Sequence, residues 1–188
     1  MIIMLSEEDG KYLLKIAKDA IETYVCENRQ IDVPSDCPDY LKEELGVFVT
    51  LNKNHYLRGC IGYPEPVYPL INATIDSAIS AATRDPRFPE VGKNELDDLE
   101  YEITVLTKPA LIEVNDPMEY LDNIIIGQDG LIVEKGFYRG LLLPQVAPEN
   151  NMDKVEFLSH TCMKAGLSPN AWRQGDIKVY KFQGQIFK

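Results

Sequence analysis

The sequence predicts an α+β fold, an antiparallel or mixed sheet flanked by helices. Three observations carry that expectation. Apolar residues recur at helical spacing in three well-separated segments. Between them lie short runs rich in β-formers or alternating apolar and polar residues. Most of these runs are joined by tight turns and not by long crossovers, which favours hairpins over βαβ units. With 188 residues and 45% hydrophobic content the chain can bury a core and reads as one domain over residues 1–188.

The first helix starts after Ser6, with Glu7, Glu8 and Asp9 in the turn where acidic groups complement the helix dipole. Leu13, Ile16, Ala17, Ala20, Ile21, Tyr24 and Val25 form its apolar stripe. Residues 28–44, with Pro34 and Pro38, read as a surface excursion. "GVFVTL" and "HYLRGCIGY", separated by "NKN", read as a β-hairpin that puts Arg58 and Cys60 near the end of its second strand. "LINATIDSAISAATRD" has no interior Pro or Gly and reads as a buried helix ending before Pro86. "RDPRFP" is a loop, and a short acidic helical turn precedes a strand from Tyr101 to Leu106. Asp116 before Pro117 marks a further helix start. "IIIGQDGLIVEKGFYRGLLLPQVA" reads as three short β runs with turns at "GQDG" and "EKG". Met152, Val155, Leu158, Cys162 and Met163 return to helical spacing up to Gly166, and "GDIKVYKFQGQIFK" closes as an alternating strand.

A formal net charge of -11, with Lys and Arg scattered along the chain, argues against nucleic acid as a partner. No run approaches the ~20 apolar residues of a membrane span, and the start lacks the basic flank of a secretory signal, so a soluble, cytoplasmic protein is expected. Cys26, Cys37, Cys60 and Cys162 have no CxxC spacing and read as reduced thiols. With only two histidines no metal site is predicted. Dinucleotide, Walker and serine-hydrolase motifs are absent from the sequence.

The most suggestive chemistry is the strand-end group Arg58, Gly59, Cys60 and Gly62. Glycines let a backbone approach a ligand closely, and a guanidinium two residues away, on the same face of a regular strand, would stabilise a thiolate or hold an anion. Cys60 is therefore either a presented nucleophile or a small apolar residue in a glycine-thinned strand. His160 is the candidate base if the fold turns its helix toward the hairpin end. In "TRDPRFP", Arg84 and Arg87 flank Asp85, an arrangement that can bind an anion but suits an internal ion pair slightly better. Gln145 offers an amide where the chain turns after Pro144.

The blocks "FVTLNKNHYLRGCIGYPEP", "AATRDPRFPEV", "ELDDLEYEITVLTKP", "GLIVEKGFYRGLLLPQVAPE" and "FLSHTCMKAGL", followed by Ala171, Trp172 and a closing strand, resemble the AMMECR domain family in content and order. The resemblance covers nearly the whole chain and is to the compact archaeal or bacterial form. It departs at the hairpin turn, where Asn54 and His55 stand in place of a glycine turn common in the family. The resemblance implies a single AMMECR-like domain of two unequal lobes with a cleft between them, the boundary not being assignable from sequence. It also implies a site set of Arg58, Gly59, Cys60, Gly62, Asp85, Arg87 and Gln145. It brings no established reaction and no cofactor. Its association with a Memo-like protein and a radical S-adenosylmethionine protein implies those two as partners in a modification pathway. The leading expectation is a cytosolic enzyme or enzyme subunit working through Cys60 and Arg58, with a small molecule or peptide as ligand. The alternative is a non-catalytic adaptor using the same surface, and nucleic-acid binding stands last.

Overall fold

The computed structural model describes residues 5–188, which divide into two compact units: one runs up to Lys108 and takes in Gln185–Lys188, the other is Pro109–Gly184.

The first unit opens with helix α1 (Glu7–Glu27). Ser6 caps it, its hydroxyl accepting from the Asp9 N–H while the Asp9 carboxylate accepts from the Ser6 N–H. Such a reciprocal cap contributes about 1 kcal/mol. The helix ends at Asn28 in the left-handed conformation, φ 53°. A 3-10 turn (Asp39–Lys42) leads to strands β1 (Gly46–Lys53) and β2 (Tyr56–Tyr63). The turn between them is Asn54 and His55, both at positive φ, 52° and 66°, the geometry that matches a two-residue hairpin to the twist of its strands. Helix α2 (Leu70–Thr83), a 3-10 turn (Lys93–Asp98) and strand β3 (Leu99–Leu106) complete the unit, with strand order β2-β1-β3 and antiparallel pairing.

Alternation along β1 decides which face is core. Val47, Val49 and Leu51 are fully buried, while Phe48, Thr50 and Asn52 point to the other face. Helix α2 packs on β1 and β2 and carries eleven buried residues around its circumference, which is why its sequence is apolar or small all round.

In the second unit, strand β4 (Ala110–Leu111), helix α3 (Tyr120–Asn123), β5 (Asp129–Lys135), β6 (Tyr138–Leu142), α4 (Val146–Glu149), α5 (Lys154–Lys164) and β7 (Lys178–Phe187) follow in order. β5 pairs antiparallel with β6 and β7, and β4 pairs with β7. Leu131, Val133, Phe157, Leu158 and Trp172 sit at the centre of its core. The last residues of β7 belong to the first unit, where the Phe187 ring lies against Gly10.

The α+β expectation holds, with two local corrections. Of the three β runs expected between residues 124 and 146, only the second and third are strands. Ile124–Ile126 is part of a turn, locked by the Asp129 carboxylate accepting from the Ile125 N–H and by the Asp129 N–H donating to the Ile125 carbonyl. The segment after Pro144, where the sequence places a turn at the end of a strand, contains the one-turn helix α4.

Candidate functional site

β2 is the outer strand of its sheet, so alternate residues along it point N–H and C=O groups away from β1, where they need other partners. At Cys60 those partners come from the loop after α2. The Cys60 N–H donates to Asp85 Oδ2 at 2.9 Å, and the Cys60 carbonyl accepts from Arg87 Nη2 at 3.3 Å. Pro86 enforces this geometry. It disfavours helical backbone at Asp85, the helix stops at Thr83, and the chain turns back along β2.

Asp85 is 4% exposed and uses both oxygens. Oδ1 accepts from the Arg87 N–H (3.1 Å) and Nε (2.9 Å), and Oδ2 accepts from Arg87 Nη2 (2.7 Å) and the Cys60 N–H. The Arg87 guanidinium outweighs burial and, with the two backbone donors, holds the Asp85 carboxyl well below the usual carboxylate range. The pair thus offers Cys60 one acceptor and one donor, as a neighbouring strand would. Arg87 remains 54% exposed, and its Nη1 points no hydrogen bond at any described residue. Arg84, 58% exposed, lies 3.6 Å from the Asp76 carboxylate. That carboxylate also accepts from the Tyr63 hydroxyl at 2.6 Å, which pushes Tyr63 up to about 12.

Arg58 goes elsewhere. Leu51 faces Gly59 across the hairpin while the next residue, Asn52, faces Leu57, so Arg58 is the extra residue of a β-bulge. The same-face relation to Cys60 expected from period two is broken there. The Arg58 guanidinium, 12% exposed, donates to both Glu95 oxygens (3.1 and 3.0 Å) and to the carbonyls of Pro89 (2.9 Å) and Glu90 (3.3 Å). Its charge is committed to fastening the 89–95 segment. Arg58 first, then the Gly92 N–H and Lys53, hold the Glu95 carboxyl at about 2.

The two glycines have reasons of their own. A Cβ on Gly59 would stand 2.1 Å from the Ala81 carbonyl oxygen of α2, and one on Gly62 would stand 2.2 Å from that of Val47. Both positions are closed to any side chain by protein backbone. The Cys60 thiol, half-buried, lies on the face away from α2 and accepts a 3.2 Å bond from the hydroxyl of Thr50, its direct cross-strand neighbour. Thr50 was not among the residues expected from the sequence. Only the register Thr50 to Cys60 brings it in, and residues facing each other without backbone bonds between them approach most closely.

Gln145 and His160 belong to the second unit. Both side chains are exposed, Gln145 just before α4 and His160 on α5. Of the other cysteines Cys26 is exposed, while burial pushes the Cys37 and Cys162 thiols up. Among the described residues no three His, Cys, Asp or Glu side chains are grouped to hold a metal, and no helix is long and apolar enough to cross a membrane.

Comparison with known proteins gives a consistent result. The AMMECR1 family model matches residues 14–187. A protein of Methanothermobacter thermautotrophicus is 55% identical over 183 residues, covering 97% of this chain and 95% of its own. A protein of Methanosarcina acetivorans is 54% identical over 188 residues, covering 98% and 94%. The crystal structure of uncharacterized protein PH0010 from Pyrococcus horikoshii superposes with a TM-score of 0.83 at 51% identity, over 97% of this chain and 92% of that one.

Proposed function

Since the chain belongs to the AMMECR1 family, we propose that it is a binding module whose ligand carries a carboxylate and docks at the Cys60 end of β2. One observation carries this reading. Asp85 holds Arg87 rigidly by three bonds against the strand backbone, yet leaves the Nη1 edge of the guanidinium turned to solvent. A planar donor fixed in this way is already organised for a carboxylate and loses little freedom on binding. The Memo-like and radical S-adenosylmethionine proteins implied by the family resemblance are the protein partners to present to it.

The test is an NMR titration of the Arg87 Nε–H and Cys60 N–H signals with acetate, succinate and glutamate. Saturable shifts that Arg87→Gln removes and Cys60→Ser retains are expected. Shifts that are absent, or indifferent to Arg87→Gln, overturn the reading.

A second reading, an enzyme or enzyme subunit with Cys60 as nucleophile, is favoured by the Thr50 hydroxyl donating to the sulfur, since a donor there stabilises a developing thiolate. It requires Cys60 to outpace every other cysteine in alkylation of the native protein, including exposed Cys26.

A further inference from the structure

The outer edge of β2 is only half covered. From Arg58 to Cys60 the 85–95 segment lies along it, through Arg58 to the Pro89 and Glu90 carbonyls and through Asp85 and Arg87 to Cys60. No register shift occurs between Cys60 and Gly62, so the N–H and C=O of Gly62 point the same way as those of Cys60. Neither Gly62 group has a hydrogen-bond partner outside the sheet among the described residues. An extended peptide could pair with this open stretch, but it cannot continue past Cys60, because the Asp85–Arg87 pair already occupies that position. Whatever strand adds at Gly62 must stop at the Arg87 guanidinium.

On the other side of Gly62 the chain presents apolar surface. Val67 and Tyr68 are about half exposed, and the Tyr68 ring packs edge-to-face on Tyr63, centroids 5.0 Å apart. The open edge thus runs from an aromatic shelf, past one free backbone donor and acceptor, to a half-exposed cation about two strand residues, ~7 Å, away.

We propose that the open edge at Gly62 binds the C-terminal end of an extended peptide. The free carboxylate meets Arg87 Nη1, one residue of the peptide pairs with the Gly62 N–H and C=O, and an apolar side chain rests on Val67 and Tyr68. This rests on the carboxylate-binding reading above and names its ligand class. The mode combines strand addition with capture of a chain terminus. A chain end supplies both requirements together, since an internal segment would collide with Asp85 and Arg87.

The test is an NMR titration of the whole chain with pools of acetylated tetrapeptides carrying each apolar residue at the first or second position, prepared as free acids and as C-terminal amides. The free acids are expected to shift Gly62, Val67, Tyr68 and Arg87 together, and the amides to bind at least about tenfold more weakly. Arg87→Gln should remove the difference between acid and amide. Arg87→Lys, which keeps the charge without the fork, should recover part of it, and an unchanged circular dichroism spectrum shows that both variants fold. Equal binding of acids and amides overturns the proposal, as does a shift pattern confined to Arg87 and Cys60. That last pattern leaves the carboxylate-binding reading standing, whereas silence at both Gly62 and Arg87 removes the two together. Concentration-dependent dimerisation that shifts Gly62 without peptide also overturns it, in favour of a second copy as occupant.

Discussion

The Asp85 carboxylate accepts a 2.9 Å hydrogen bond from the backbone N–H of Cys60, and so a loop side chain does at the sheet edge what a further strand would otherwise do. An exposed strand edge invites association with other chains, and Asp85 closes it locally while Arg87 takes the matching carbonyl. Asp85→Ala leaves the Cys60 N–H unpaired and Arg87 without its orienting partner. A loss of about 3 kcal/mol in urea unfolding is expected. Arg87→Gln, whose side chain is half in water, should cost clearly less.

The two low carboxyls set an acid limit. Asp85 and Glu95 both bind protons less readily folded than unfolded. Their contribution is therefore fully present above their unfolded values and is lost as pH falls through the folded ones. Unfolding free energy should fall between about pH 4.5 and about pH 2. Glu95→Gln should be less stable than the parent at neutral pH and show a shallower decline in that window. Parallel curves for parent and variant would contradict the assignment.

The bulged arginine is structural. Arg58→Ala strands Glu95, 19% exposed on its side chain, without its bidentate partner and frees the 89–95 segment. A loss of about 3 kcal/mol is expected, with faster amide exchange over residues 89–95. A variant as stable as the parent would put Arg58 back among the groups available to a ligand.

Gly59→Ala should be among the most damaging single-methyl additions in the chain, because the obstruction is the backbone oxygen of Ala81 and not a movable side chain. A cost of about 3 kcal/mol in thermal or urea unfolding is expected. His55→Gly should act in the opposite direction. The hairpin turn holds His55 at φ 66°, where a side chain is strained, and glycine there should raise stability by about 0.5–1 kcal/mol.

Thr50→Val tests whether its hydroxyl matters to the sulfur. Alkylation of Cys60 at neutral pH should slow by about threefold, the worth of one modest hydrogen bond, with Cys26 unaffected. Equal rates would show that the contact is packing only.

The three long helices were legible in the sequence because each carries its own punctuation. The Ser6 cap with its acidic first turn, the stop before Pro86 and the apolar period of α5 are local signals. At Ile124–Ile126 the sequence misleads because a short apolar run fits a strand and a turn equally, and what decides is the Asp129 carboxylate on the Ile125 N–H. The candidate residues were legible only in part: Arg58 is diverted to Glu95, and Gln145 and His160 belong to the other unit. Cys60, Asp85 and Arg87 do converge, but through the Cys60 backbone and not its thiol. The bulge that diverts Arg58, the Glu95 that receives it and the Thr50 that reaches Cys60 all follow from register and long-range contact, which no local pattern encodes.

β7 is drawn on by both units, and this orders events in time during synthesis. Gln185 exchanges two hydrogen bonds with the backbone of Leu5, and Phe187 covers Gly10 at the start of α1. A ribosome delivers Leu5 and Gly10 first and those partners only after all of Pro109–Gly184 has been made. The first unit therefore waits, its opening helix uncovered at one end, while the second has every residue it needs to mature. A chain released before Gln185 would be left with a second unit of full composition and a first unit without the Gln185 and Phe187 contacts.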